Sequence, residues 1–176
     1  MKKCGWGMGA EVGIGEMYGK PVLVFGCGNT LFGDDGFGPA VIEHLLEHYR
    51  LPEDVVAMDV GTGIRNILFD LLLFPSKPVC IFVVDAVCLP SRTAGEIFEL
   101  EIDQIPALKV HDFSLHQFPS VNLLRELQES AGVKVRILAV QAGSIPEEVG
   151  PGMSSEVTAA VPAACTWLLE QIGGMQ

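Results

Sequence analysis

Asp34 and Asp35 stand side by side in VLVFGCGNTLFGDDGFGP, residues 22–39. An apolar run breaking into glycines has the form of a phosphate-binding strand and loop. The P-loop pattern G-x-x-x-x-G-K-[ST], however, needs a lysine and a hydroxyl where this chain carries the two acids. A phosphate placed there would meet negative charge, so the loop favours a cation. The dinucleotide pattern G-x-G-x-x-G fails too, because Gly26 and Gly28 are followed by Leu31 in the third glycine's place.

Further acids follow later apolar runs. Asp59 closes VVAMDV at 55–60 and is followed by Gly61, Thr62 and Gly63; Asp85 lies near the end of VCIFVVDAV at 79–87. The segment KVHDFSLHQ at 109–117 adds His111, read as a surface residue, and His116. Asp35, Asp85 and His116 offer two oxygens and one nitrogen, a set that leaves coordination positions open and suits zinc, nickel or manganese. The plainer reading is that an aspartate before a helix caps it or is stabilised by its dipole. That reading weakens when acids recur at successive strand ends. HLLEH at 44–48 matches the H-x-x-E-H pattern of a zinc-peptidase group, but it falls on a helix face expected to meet solvent. Cys27 and Cys88 are read as space-filling, since the sequence places no base beside either.

The elements that must position these groups alternate. Residues 21–27 read as a strand buried on both faces. A helix over 39–50 follows, with Val41, Ile42, Leu45, Leu46 and Tyr49 on its apolar stripe. Strands are expected at 55–60, 79–87 and 133–141, and a less buried one at 95–102, where apolar and polar residues alternate. Helices are expected at 63–74, at 118–130 and after Ser154 or Ser155, with Pro162 kinking the last or marking a late start. The pattern implies an α/β fold: a three-layer α/β/α sandwich with a twisted, mostly parallel sheet of about five strands. Ligands of such sheets bind beyond the carboxyl ends of the strands, where these acids fall.

A chain of 176 residues, 49% hydrophobic, is long enough for one sizeable core. Residues 1–20 read as a glycine-rich, flexible or loosely docked extension, and 21–176 as a single domain. Eleven basic against twenty-two acidic side chains give a net charge of -11, which disfavours a nucleic-acid partner. Five scattered cysteines without a C-x-x-C pair suit a reducing compartment. Apolar runs are all interrupted before membrane-spanning length, so the expectation is a cytoplasmic protein without membrane insertion.

In this order, GCGNTLFGDDGFGP, DVGTG, VVDAV and SLHQ, with GSIPEEVGPGMSSEV near the end, resemble the endopeptidases that mature NiFe hydrogenases. The wording of the first motif is most similar to the branch associated with coenzyme F420-reducing hydrogenase. The resemblance implies an aspartic-type endopeptidase that removes the C-terminal extension of a hydrogenase large-subunit precursor after nickel insertion. It assigns catalysis and metal contact to Asp35, Asp85 and His116, and substrate positioning to Asp59, Gly61, Thr62 and Gly63. Nickel would arrive with the precursor, and zinc, cadmium or manganese could occupy the same place. A reading from a different class is a nonenzymatic metal- or nucleotide-binding accessory subunit of a hydrogenase complex.

Overall fold

The structure, a computed structural model, describes residues 14–104 and 121–175. Strand β1 (Val22–Cys27) leads through a 3-10 turn (Gly33–Gly36) into helix α2 (Phe37–His48); a short helix α1 (Ile14–Met17) precedes them. Then come β2 (Val55–Gly61), α3 (Ile64–Leu73), β3 (Cys80–Val87), β4 (Ile97–Leu100), α4 (Val121–Ala131), β5 (Lys134–Gln141) and α5 (Ser155–Gly173). The five strands form one sheet in the order β2-β1-β3-β5-β4. All neighbours are parallel except β4, which runs antiparallel to β5 along an edge.

Alternation along the strands divides their side chains between two cores. Leu23, Phe25, Ile81 and Val83 pack with Leu68 and Leu71 of α3 and Leu124 and Leu127 of α4. On the opposite face, Val24, Phe82, Val84 and Leu138 pack with Phe37, Val41 and Leu45 of α2 and Ala164, Cys165 and Leu168 of α5. Because both faces are covered, the parallel strands are continuous apolar runs. Met17 is also buried in the first core, so the chain is docked where α1 ends. Among the described residues, no helix is long and apolar enough to cross a membrane.

Three local expectations change. Leu46 and Tyr49 leave the buried stripe of α2, 48% and 37% exposed, because the helix begins at Phe37 and turns Phe37, Val41, Ile42 and Leu45 onto the sheet. Helix α5 starts at Ser155 and runs through Pro162, so the proline marks no late start; its missing N–H leaves the Thr158 carbonyl without the usual helical partner. The alternating segment pairs over only Ile97–Leu100. Arg136 of β5 grips Glu99 of this edge strand through two bonds, Nε to Oε1 at 2.6 Å and Nη2 to Oε2 at 2.7 Å.

Candidate functional site at the strand ends

The chain places β2 on one side of β1 and then returns to place β3 on the other. That reversal is a switch point, and open α/β sheets hold their ligands in the crevice beyond the carboxyl ends of the strands on either side of it, here β1 and β3. Gly26 pairs with Asp59 of β2 and with Val84 of β3. Cys27 and Asp85, one residue further along adjacent strands, therefore lie side by side. Between Gly26 and Cys27 the register with β2 slips by one residue, a bulge that lets Cys27 pair with Gly61.

Asp35 reaches the same place from above because α2 sits unusually close to the sheet. A Cβ on Gly38 would lie 2.2 Å from the Cys27 carbonyl oxygen and 2.6 Å from that of Val84; one on Gly26 would lie 2.5 Å from the Gly38 carbonyl oxygen. Only a glycine pair permits that approach. The loop between is closed on itself: the Asn29 N–H donates to the Asp35 carbonyl at 3.1 Å and to its Oδ2 at 2.7 Å. Gly28, at φ +127°, faces the Asp35 backbone where a Cβ would fall 1.9 Å from its oxygen. Asp35 and Asp85 are both buried, 9% and 5% exposed. Asp85 Oδ1 accepts from the Ala86 N–H at 2.8 Å.

The neighbouring acid has a different task. Asp34 is fully buried, and its carboxylate accepts from the Gly143 and Ser144 N–H groups at 2.8 Å each, the Ser154 N–H at 2.6 Å and the Ser154 hydroxyl at 3.0 Å. The Ser154 hydroxyl oxygen in turn accepts from the Val157 N–H, capping α5. Asp34 thus ties the segment from Gly143 to Ser154 to the glycine loop, helped by backbone bonds from Gly33 to Gly150 and from Gly150 to Leu31. Neither acid caps α2. Sequence reasoning singled out Asp35, gave Asp34 no task beyond the charge of the loop and so missed this anchor; the serines after residue 143 were the available signal. Leu31 and Val149, on the two tied segments, are exposed apolar residues, 48% and 66%.

Asp59 is exposed, and its Oδ1 accepts from the Gly61 N–H at 2.8 Å, folding the turn that contains Thr62 and Gly63. The Gly61 carbonyl accepts from the Gly28 N–H at 3.1 Å, so this turn lies against the glycine loop. The structure therefore brings Asp35, Asp85, Asp59 and the Gly61–Gly63 turn to one end of the sheet. His111 and His116 lie outside the described residues. Among the described residues, no three His, Cys, Asp or Glu side chains are grouped to hold a metal ion.

Electrostatics agree with this convergence. Burial first, and then the carboxylates of Asp85, Asp59 and Asp35, push the Cys27 thiol well above its ordinary range. Burial pushes Cys80 and Cys165 up to about 11. These thiols hold their protons longer in the folded than in the unfolded chain, where a thiol titrates near ~8.5. Their contribution to stability is full below that value and is lost as pH rises toward about 11. At pH ~8 iodoacetamide should modify half-buried Cys88 on the folded chain and leave Cys27, Cys80 and Cys165 until urea is added, as read from the masses of tryptic peptides. Rapid labelling of Cys27 in the folded chain would contradict the packing described.

Comparison with known proteins adds a relationship. The family model for hydrogenase maturation protease matches residues 39–171. The coenzyme F420 hydrogenase subunit delta of Methanothermobacter thermautotrophicus is 34% identical over 164 residues, 89% of this chain and 97% of that one. A hydrogenase 2 maturation peptidase from a Thaumarchaeota archaeon superposes with a TM-score of 0.59 at 30% identity, over 88% of this chain and 99% of the other. The hydrogenase maturating endopeptidase HybD of Escherichia coli shares the fold, with a TM-score of 0.72 at 24% identity over 88% and 93% of the two chains.

Proposed function

This chain belongs to the hydrogenase maturation protease family, a family of peptidase hydrolases, and on that premise we propose that it removes the C-terminal extension of a NiFe hydrogenase large-subunit precursor after nickel insertion. The observation that carries the reading is the pair of buried carboxylates, Asp35 in the turn after β1 and Asp85 near the end of β3. The surrounding glycines and backbone donors position that pair.

In this reading Asp35, Asp85 and His116 grip the nickel that the precursor carries, and the grip fixes the nearby peptide bond in register. Zinc, cadmium or manganese could take the same donors. Water adds to the scissile carbonyl carbon and gives up a proton, for which a site carboxylate is the base in an aspartic-type mechanism. That proton passes to the leaving nitrogen as the C–N bond breaks. Held by these donors, the nickel would supply Lewis-acid polarisation of the water or the carbonyl. Asp59 and the turn of Gly61, Thr62 and Gly63 position the peptide beside the crevice, and Leu31 and Val149 offer it apolar contact. The reaction belongs to the cytoplasm, where the reducing environment suits free cysteines.

The test is incubation of the chain with nickel-loaded and nickel-free precursor, read by mass. Loss of the C-terminal peptide from the loaded form alone is the expected result. The name of the subunit delta relative favours a second reading, a nonenzymatic accessory subunit. A precursor that binds the chain and stays intact would establish that reading and defeat the first.

A further inference from the structure

We propose that His44 and His48 form a second divalent transition-metal site, on the outer face of α2 and apart from the strand-end crevice. The two residues are one helical turn apart, the (i, i+4) spacing that puts imidazoles on one face. Their rings stack with centroids 4.0 Å apart and planes inclined by 21°. Nitrogens bound to one ion at about 2.0–2.1 Å lie about 3–3.5 Å from each other with the ion in both ring planes, so the stacked rings must swing open about their side-chain bonds to chelate it.

The tautomer is set for coordination. His48 Nδ1 lies 3.0 Å from the His44 backbone oxygen; a carbonyl only accepts, so Nδ1 carries the proton and Nε2 presents its lone pair. A ring nitrogen bonded to a carbonyl is the usual support of a metal-bound imidazole. His48 is exposed and His44 half-buried. His48 is also the last residue of α2, where the negative pole of the helix favours a bound cation.

The site is independent of the proposed protease chemistry. His48 lies ~16 Å along the helix axis from Phe37, at the end away from the acids. The H-x-x-E-H pattern here supplies two imidazoles, without the third protein ligand of a catalytic zinc site or the four of a closed one, among the described residues. Two nitrogen donors with water in the remaining positions suit nickel, copper or zinc. With so few protein ligands, the ion exchanges readily.

The experiment titrates nickel chloride into the full chain while following histidine ring C–H resonances by NMR, with binding measured by equilibrium dialysis. The His44 and His48 signals should broaden together at substoichiometric nickel. His44→Gln and His48→Gln should each weaken this binding by roughly tenfold or more while retaining the wild-type urea midpoint. A loss smaller than tenfold in either variant, or broadening that spares these two rings, overturns the assignment.

Discussion

Replacing Asp35 or Asp85 by asparagine should lower the rate of precursor processing by about 10²–10⁴-fold, the contribution expected of a positioned acid–base group. Asparagine keeps the size and one acceptor oxygen of aspartate. Asp35→Asn can still receive the Asn29 N–H that fixes this loop, and Asp85→Asn the Ala86 N–H. What each variant removes is the negative charge and the ability to take a proton. The fold should persist, with the urea midpoint close to that of the parent chain. Mass spectrometry of the precursor over time measures the rate. Either variant processing within about threefold of the parent would remove that acid from the chemistry, since even a modest general base is worth ~10².

Asp34→Ala should do the opposite: it should unfold the chain more readily, by about 2–5 kcal/mol, through lost structure rather than lost chemistry. Hydrogen bonds to charged groups contribute ~1.5–3 kcal/mol each, and this carboxylate accepts four. Gly143 and Ser144 are exposed residues whose freed N–H groups can turn to water, which holds the total below the simple sum. Against a typical stability of ~5–15 kcal/mol, the loss is large and should appear as a lower urea midpoint. Activity measured well below the new midpoint should fall less than in the Asp35 variant. A midpoint within ~0.5 kcal/mol of the parent would mean that the Gly143–Ser154 segment holds its place without the acid.

The contrast between adjacent residues of one type shows where reading along the chain stops. A 3-10 turn has ~3.0 residues per turn, so successive side chains leave its axis ~120° apart. In the Gly33–Gly36 turn, Asp34 is thereby sent to the loop after β5 and Asp35 toward the strand ends. Composition and spacing hold no record of that rotation. The motif did show two acids where a P-loop carries its lysine and hydroxyl. It could not say that one of its charges is spent inside the protein.

Much of the fold was legible. Continuous apolar runs at 22–27 and 80–87 are written into the chain because parallel strands bury both faces. The helices are legible through their periodic apolar positions, although Leu46 and Tyr49 show that the limits of a buried face depend on how the helix is set on the sheet. Glycines at 26, 28 and 38 are visible as glycines, but the backbone approaches that require them are tertiary facts.

By itself, then, the sequence determined the alternation of elements, the carboxylates placed after the apolar runs and the order of motifs shared with the family. Those properties depend on side-chain type and on neighbours a few residues away. The tertiary structure alone decided that β1 and β3 are adjacent, that Asp35 and Asp85 both bear on Cys27 at that junction and that Asp34 is an anchor. Such relations join residues that are far apart in the chain, and only the winding of the sheet brings them to one place.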